Sequence, residues 1–319
     1  MARKHQLSCY NVLVASYLEL YHSGELRARV EAATALLQSC RVCPRQCGAN
    51  RLQGEAGECR TQRQARVSSY GPHLGEEPAL VGRHGSGTIF FTNCNLRCVF
   101  CQNYSISQLG EGETVSKEEL ARMMLSLQAR QCHNINLVSP THVVPQILEA
   151  LELAIGLGLQ LPLVYNSGGY DAPETLRLLD GIVDIYMPDM KYSDEKVAEE
   201  LSGINDYPSV DRAAVKEMHR QVGDLQIDRD GVAQRGLLVR HLVLPSDLAG
   251  TDGIVRFISQ EISPDTYVNV MAQYRPCYRA SEFPSLARPV SAAEYQQAVG
   301  LAHGAGLHRL DRDQLCRVR

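Results

Sequence analysis

The chain has 319 residues, of which 44% are hydrophobic and 21% are charged, and its formal net charge is −4. This length suffices for one large α/β domain with a smaller appendage, and the composition is that of a folded chain. The small negative charge gives no electrostatic reason to expect a nucleic-acid partner. No run approaches the ~18 apolar residues of a membrane span.

The cysteine content is unusual, because seven of the eleven cysteines fall in two tight clusters. A secreted protein stabilised by this many disulfides is normally short and begins with a signal peptide. Here residues 1–5 lead into mixed polar and apolar sequence without a continuous apolar segment. We therefore expect a cytoplasmic metalloprotein with no membrane association.

The chain divides into four predicted segments. Residues 1–39 have helical periodicity and are expected to pack on the main domain. Residues 40–80 have little periodicity and much Gly, Arg and Gln, which predicts a metal-organised loop segment without a core of its own. Residues 81–290 form the main domain, and a C-terminal helix and tail occupy 291–319.

The main domain alternates short apolar runs with amphipathic helices. The predicted strands are 88–92, 135–139, 163–166, 182–189, 237–244 and 267–272. The predicted helices are 116–129, opened by a capping box at Ser116 and Glu119, and 145–156, 173–179, 193–202, 209–222, 252–262 and 292–305. A hairpin-like turn is expected at 228–231. Six β/α units imply parallel strands covered by helices, either in a barrel-like sheet or in an open doubly wound one.

Polar groups follow five of the six strands. In a barrel of parallel strands, the chemistry lies at the carboxyl ends of the strands. The groups are Cys94, Pro140 to His142, Asn166 to Tyr170, Asp189 with Lys191, and Tyr274 with Arg275. We expect all five to face one mouth.

The second cysteine cluster places Cys94, Cys98 and Cys101 within eight residues. Thiolates are the usual ligands of iron–sulfur clusters, and three of them leave one iron open to another ligand. Two alternatives remain at this point: a zinc site completed by a distant residue, and three free cysteines in a loop.

The spacing Cys94-x3-Cys98-x2-Cys101, with Phe100 before the last cysteine, resembles the signature loop of the radical S-adenosylmethionine (SAM) superfamily. Residues 102–107 are similar to the branch that contains the pyruvate formate-lyase activating enzymes. The resemblance extends over residues 88–290.

The resemblance implies a partial (β/α)6 TIM-like barrel and a [4Fe-4S] cluster whose open iron is chelated by SAM. It implies an oxidoreductase-type enzyme that cleaves SAM reductively to a 5′-deoxyadenosyl radical, which abstracts hydrogen from a protein or small molecule. An electron donor such as flavodoxin or ferredoxin is an implied partner. Activation of a glycyl-radical enzyme is one reading, and modification of another peptide or a metabolite is the alternative. The alternative outside the enzymes is a non-catalytic iron–sulfur or zinc protein that carries electrons or binds a partner.

The resemblance also assigns residues at the mouth. Asp189 and Lys191 are similar to a D-x-K motif that contacts SAM, and Arg240 resembles a fifth-strand basic residue of the same branch. A surface ion pair and a solvated strand-edge charge are the respective alternatives. Phe100 and Tyr274 are further candidates for cofactor binding.

Two positions depart from the pattern of the branch. Pro140-Thr141-His142 stands where many members carry Gly-Gly-Glu, so backbone carbonyls around Thr141 would serve SAM. Asn166 stands near the position where the activating enzymes have an acidic contact, and it is a candidate hydrogen-bond partner of SAM. His142 is read either as a substrate contact or proton donor, or as a structural histidine.

The first cysteine cluster comprises Cys40, Cys43, Cys47 and Cys59. Cys40-x2-Cys43 is a metal knuckle, and intervening glycines allow the chain to turn back so that Cys59 completes a set of four thiolates. Structural Zn²⁺, an auxiliary [4Fe-4S] cluster and non-ligating cysteines all remain open. Nearby basic residues are expected to offset thiolate charge: Arg41, Arg45, Arg51 and Arg60.

Four cysteines lie outside both clusters. Cys277, just beyond the sixth strand, is a candidate hydrogen-atom donor or a passive thiol. Cys9, Cys132 and Cys316 are expected to be core or surface residues.

Overall fold

The protein, described by a computed structural model over residues 15–311, is built around one mixed sheet. Cys9, Cys316 and the first residues of the predicted N-terminal helices lie outside the described range. The strands are β1 (Ala65–His73), β2 (Ser86–Phe91), β3 (Glu113–Val115), β4 (Ile135–Val138), β5 (Leu163–Ser167), β6 (Ile185–Pro188), β7 (Gln226–Ile227), β8 (Ala233–Leu242) and β9 (Tyr267–Met271).

The helices lie between and around these strands. They are α1 (Tyr17–Ser23), α2 (Glu25–Ala35), α3 (Pro78–Val81), α4 (Tyr104–Ser107), α5 (Lys117–Ala129), α6 (Val144–Gly156), α7 (Pro173–Leu178), α8 (Glu195–Ser202), α9 (Tyr207–Val222), α10 (Thr251–Phe257) and α11 (Ala292–Gly304). A π-helical turn, Ile258–Ile262, extends α10. Among residues 15–311, no helix is long and apolar enough to cross a membrane.

Six strands are parallel, in the order β2, β4, β5, β6, β8 and β9. They correspond to the six predicted strands, and helices connect consecutive pairs, so the predicted α/β architecture with a mostly parallel sheet is confirmed. Within residues 15–311, pairing on the far side of β9 is a single bridge between Val268 and Leu310. The sheet is thus a partial barrel rather than a closed one.

The register separates the two faces of the sheet. Ile89, Leu137, Tyr165, Tyr186 and Leu237 lie side by side on successive strands and are all buried in the main hydrophobic core. Residues of the opposite face belong to a second core, which includes Ala79 and Leu80 of α3. Helix α3 therefore fills the interior of the curved sheet.

Part of the segment predicted as loop is a strand. Residues 65–73 form β1, which pairs antiparallel with β2 and, on its other edge, with β3. The sheet consequently begins at Ala65 rather than after residue 81. The central residues of β1 are exposed, so this strand has no apolar run for the sequence pattern to reveal.

Helices α1 and α2 pack on the main domain. The Tyr17 hydroxyl donates to the Leu161 carbonyl at 2.7 Å, and Leu26 and Val30 of α2 are buried in the main core. The capping box of α5 is present, because Ser116 and Glu119 each bond the other's backbone N–H. The hairpin turn at 228–231 also forms, with Gly231 N–H donating to Asp228 O at 3.1 Å.

Candidate functional site

The cysteine triad lies in the loop that follows β2. Cys98 is buried, and Cys94 and Cys101 are half-buried at one wall of a pocket at the carboxyl ends of the strands. Burial raises the pKa of the Cys94 thiol to about 12, and the proximity of Cys98 and Cys101 adds to the rise. A positive centre among these sulfurs would relieve this penalty, because thiolates ligate metals only after they lose their protons.

Neighbouring hydroxyl groups reach two of the sulfurs. Ser202 Oγ, at the end of α8, donates to Cys98 Sγ at 3.0 Å. Ser107 Oγ lies 3.1 Å from Cys101 Sγ. Hydrogen bonds to ligand sulfurs tune the reduction potential of an iron–sulfur cluster, and neither serine was singled out from the sequence.

Three charged residues line the same pocket as the triad: Asp189, Lys191 and Arg240. Asp189 Oδ2 accepts from Lys191 Nζ at 2.6 Å, and Asp189 Oδ1 accepts from Arg240 Nε at 2.9 Å. Burial acts to raise the pKa of Asp189, but Arg240 and Lys191 outweigh it and hold that pKa below its ordinary value. These side chains are only 15–18% exposed, so the pair is neither a surface ion pair nor a solvated strand-edge charge.

A fourth charge, Glu76, was not anticipated. It precedes α3, and its Oε1 lies 3.6 Å from Arg240 Nη1. Its Oε2 accepts from Asn136 Nδ2 at 2.9 Å. Glu76 is separated from Arg240 by many residues in the chain, and the sequence carries no periodic signal for it. The contact depends on how α3 enters the barrel.

The side wall of the pocket contains Thr141, His142 and Asn166. Asn166 Oδ1 accepts from Arg240 at 2.7 Å, and Thr141 Oγ1 donates to the fully buried Asp171 at 2.7 Å. Burial lowers the pKa of His142 to about 4, and its Nε2 lies 3.0 Å from the Thr92 carbonyl oxygen. His142 is therefore neutral at ordinary pH and already hydrogen-bonded.

Phe100 and Tyr274 pack in one hydrophobic cluster with the cysteines of the triad and are not part of the pocket lining. Their rings meet edge to face, with centroids 5.9 Å apart, and the Tyr274 hydroxyl donates to Leu286 O at 2.7 Å. Arg275 is exposed and Cys277 is half-buried. Cys132 is buried in the main core, as expected for one of the leftover cysteines.

The four cysteines of the first cluster lie together at the edge of this site. Cys40, Cys43 and Cys59 are buried. Burial raises the pKa of the Cys43 thiol to about 12, and the nearby Cys59, Cys40 and Cys47 contribute. All four thiols are free of disulfides.

The donor set of the triad fits an iron–sulfur cluster with one open iron. It offers three thiols in the lining of a pocket, and the charged groups of the same lining match a ligand that carries both a carboxylate and an ammonium group. Among residues 15–311, no group of three or more His, Cys, Asp or Glu side chains is arranged to hold a metal ion.

Comparisons with known proteins agree with this class of site. The family model of the radical SAM superfamily matches residues 88–232. The uncharacterized protein MJ0674 of Methanocaldococcus jannaschii is 34% identical over 295 residues, which cover 89% of this chain and 80% of that protein. Through residues 88–232, the chain belongs to the radical SAM superfamily.

A crystal structure of a radical SAM methyltransferase from Sphaerobacter thermophilus is also similar. The likeness covers 71% of this chain and 67% of that one, with 14% sequence identity and a TM-score of 0.47.

Proposed function

We propose that this protein is a radical SAM enzyme that abstracts a hydrogen atom from a substrate at the mouth of its partial barrel. The observation that carries the proposal is one pocket that joins the triad of cysteines to Asp189, Lys191 and Arg240. Family membership supports the radical chemistry, and the charged wall supports SAM as the bound molecule. Modification of a peptide or a metabolite remains the alternative to a protein substrate.

When bound, the [4Fe-4S] cluster and SAM supply the reductive cleavage that yields a 5′-deoxyadenosyl radical. Cys94, Cys98 and Cys101 hold the cluster in this proposal. Lys191 pairs with the carboxylate of SAM, and Asp189 accepts from its ammonium or ribose groups.

The remaining residues of the pocket orient SAM and keep water away from it. Asn166 and the backbone carbonyls around Thr141 offer hydrogen bonds, and Phe100 packs with the cysteines of the triad. His142 is proposed as a neutral wall residue, because its Nε2 is engaged with Thr92 O. Cys277 lies near enough to Tyr274 to affect its pKa and is not part of the pocket lining; its role as a hydrogen-atom donor is a proposal that stands beside the passive thiol.

The test is the release of 5′-deoxyadenosine. The protein is reconstituted with iron and sulfide under anaerobic conditions, reduced with dithionite, mixed with SAM and analysed by chromatography. We expect 5′-deoxyadenosine from the wild type and none from Cys98→Ala. Cys132→Ala is the matched control, because it removes a buried cysteine that lies in the main core. An intact cluster that releases no 5′-deoxyadenosine would contradict radical chemistry and favour the non-catalytic class.

We further propose a polypeptide substrate, with activation of a glycyl-radical enzyme as the first case to test. Tyr104 and Tyr278 stack with ring centroids 5.2 Å apart, and each is 38% exposed. Tyr104 begins the short helix just after Cys101. An exposed aromatic pair is a frequent anchor of protein interfaces, and this one adjoins the cluster loop.

A glycyl-radical enzyme of the pyruvate formate-lyase type, incubated with the reduced protein and SAM, should acquire a stable radical detectable by EPR. Tyr104→Ala should weaken this activation while 5′-deoxyadenosine release without a partner stays unchanged. SAM turnover that leaves the partner unmodified would favour the peptide or metabolite alternative. A flavodoxin or ferredoxin is the proposed electron donor. The proposed location is the cytoplasm, since clustered free cysteines suit a reducing compartment.

A further inference from the structure

The four cysteines of the first cluster are held in one place by a tightly folded loop. Cys40 N–H donates to Ala49 O at 2.9 Å, and Gly48 N–H returns to Cys40 O at 3.1 Å. The segment that leads to Cys59 passes close to Cys47, so that a Cβ at Gly57 would clash with Cys47 Sγ. A loop this polar needs an internal organiser, because it has few apolar side chains to bury.

Arg51 lies beside these thiols and is fully buried. Its Nη1 donates to the His142 carbonyl at 2.9 Å and lies 3.7 Å from Cys40 Sγ, and its Nε donates to Gln62 O at 3.1 Å. Its Nη2 has no hydrogen-bond partner in the described part of the chain. All its partners are neutral groups, and a buried guanidinium is costly unless an anion lies near it.

A second guanidinium, that of Arg45, also has a buried nitrogen without a hydrogen-bond acceptor in the described range. Arg45 donates from Nε to Asn95 O at 2.9 Å, while its buried Nη2 makes no hydrogen bond within residues 15–311. Two buried Nη2 groups of this loop thus have no acceptor in the described residues, and one of the two guanidiniums, that of Arg51, lies 3.7 Å from Cys40 Sγ. A metal site with four thiolates is an anion, and it would supply the missing negative charge.

The loop is also fastened directly to the loop of the triad. Arg45 bonds Asn95, Thr61 Oγ1 accepts from Asn93 Nδ2 at 3.2 Å, and the Arg97 guanidinium donates to the Glu58 carbonyl. Each contact joins a residue near one cysteine set to a residue near the other. The two sets therefore share one structural unit, and whatever occupies the first lies beside the second.

We propose that Cys40, Cys43, Cys47 and Cys59 hold a second [4Fe-4S] cluster, whose sulfurs accept the unpartnered N–H groups of Arg51 and Arg45. A cluster of this kind presents inorganic sulfides as well as thiolates to such donors, whereas zinc in the same set offers only the thiolates. Four protein ligands close the cluster, so it does not bind SAM and is suited to carrying electrons. The second cluster is inferred from the residues of this loop alone. Only its role as an electron carrier rests on the proposed function.

The first experiment removes the triad and asks what remains. The variant Cys94→Ala/Cys98→Ala/Cys101→Ala is reconstituted with iron and sulfide without oxygen, and iron, sulfide and zinc are then counted. We expect about four iron and about four sulfide ions per chain, and after dithionite an EPR signal that added SAM leaves unchanged. One zinc ion per chain, or no metal at all, would overturn the proposal.

A second variant guards against misfolding of the triple variant. In the otherwise intact chain, Cys43→Ala should lower the iron content from about eight to about four per chain and leave a signal that responds to SAM. An iron content equal to that of the wild type would also overturn the proposal. Because iron is counted independently of 5′-deoxyadenosine, failure of the second cluster and failure of the radical chemistry are distinguishable.

The arginine is tested separately through the reduction potential of the SAM-insensitive signal. Arg51→Met removes a donor to sulfur and should move this potential to a more negative value, and Arg51→Lys should restore part of the difference. Arg63→Met is the matched control, because Arg63 lies in the same segment but pairs with Glu149 at 2.6 Å and is 38% exposed. An unchanged potential in Arg51→Met would contradict the proposed contact.

Discussion

Arg240 and Asp189 are paired twice, once through the backbone and once through their side chains. The two residues form a parallel bridge next to the ends of β6 and β8, and Arg240 Nε donates to Asp189 Oδ1 at 2.9 Å. The register of the strands therefore places the ion pair, and no loop has to fold correctly for it to form.

Removal of the Arg240 charge should destabilise the fold. In Arg240→Met, Asp189 keeps only Lys191, and Glu76 loses the cation 3.6 Å away. Breaking a buried pair in this way costs roughly 3–5 kcal/mol of the free energy of unfolding, which urea denaturation measures. Arg279→Met is the control, because its pair with Glu282 is about half exposed and should contribute little to stability. Equal losses in the two variants would contradict a special role of the buried network.

Removal of the Lys191 charge should act mainly on SAM. Asp189 retains its bond to Arg240 in Lys191→Met, so the fold keeps one cation at this carboxylate. A lost hydrogen bond to a charged ligand group costs about 1.5–3 kcal/mol, so the dissociation constant of SAM should rise about 10- to 100-fold. Equilibrium dialysis with the reconstituted protein checks this. Lys216→Met, which removes an exposed pair with Glu261, should leave the constant unchanged.

Glu77 should make stability depend on pH. Burial raises the pKa of Glu77 from 4.5 to about 7, while Arg240 opposes the rise and Glu76 adds to it. The folded state therefore keeps a proton that the unfolded state releases between pH 4.5 and pH 7. Because the folded state binds more protons, the free energy of unfolding falls as pH rises through this window, by about 3 kcal/mol in total.

Urea denaturation at pH 5 and at pH 8 measures the effect. Glu77→Gln keeps the contact with Asn269, whose Nδ2 donates to Glu77 at 2.6 Å in the wild type, but it cannot titrate. The stability of this variant relative to wild type should be higher at pH 8 than at pH 5. The same difference at both values of pH would show that Glu77 is not protonated in the folded state.

Gly169 should tolerate no side chain. Its φ is +83°, and a Cβ there would lie 2.3 Å from Asp189 O and 2.4 Å from Asp211 Oδ1. Gly169→Ala should therefore displace the backbone that carries Asp189 and weaken both folding and SAM binding. Gly24→Ala is the matched control, since Gly24 has a φ of +81° and no atom within 4 Å of its Cβ position. The control isolates the backbone cost of about 1–2 kcal/mol, and thermal unfolding should show a larger loss for Gly169→Ala.

The sequence predicts the parallel strands because they are short apolar runs, five of which end at polar residues of the mouth. It predicts α5 because Ser116 and Glu119 form a capping box, and the same local chemistry is seen in the structure. The cysteine spacing and the D-x-K motif lead to the pocket that the structure contains. Signals of this kind lie within a few consecutive residues.

What the sequence does not reveal depends on contacts between distant parts of the chain. Strand β1 has exposed central residues and contains Gly71 and Pro72. Its sequence therefore lacks the alternation of apolar and polar residues that would predict a strand paired with β2. A glutamate such as Glu76 is expected at the surface from its residue type alone. Only the position of α3, which follows it, places it inside the barrel. Arg51 was expected to offset thiolate charge, but its bond to the carbonyl of His142 spans 91 residues, and no local pattern indicates it.

The link from Arg51 to His142 has a consequence for the synthesis of the protein. Arg51 and its hydrogen-bond partner His142 are separated by 91 residues. The thiols of residues 40–59 are therefore synthesised well before the part of the chain that covers Arg51. At ordinary translation rates this interval lasts roughly 5–20 s. During that time the free thiols are open to oxygen and to adventitious metal ions. The yield of correctly matured protein should therefore depend on how reducing the cell is during expression, even when the finished protein is handled without oxygen.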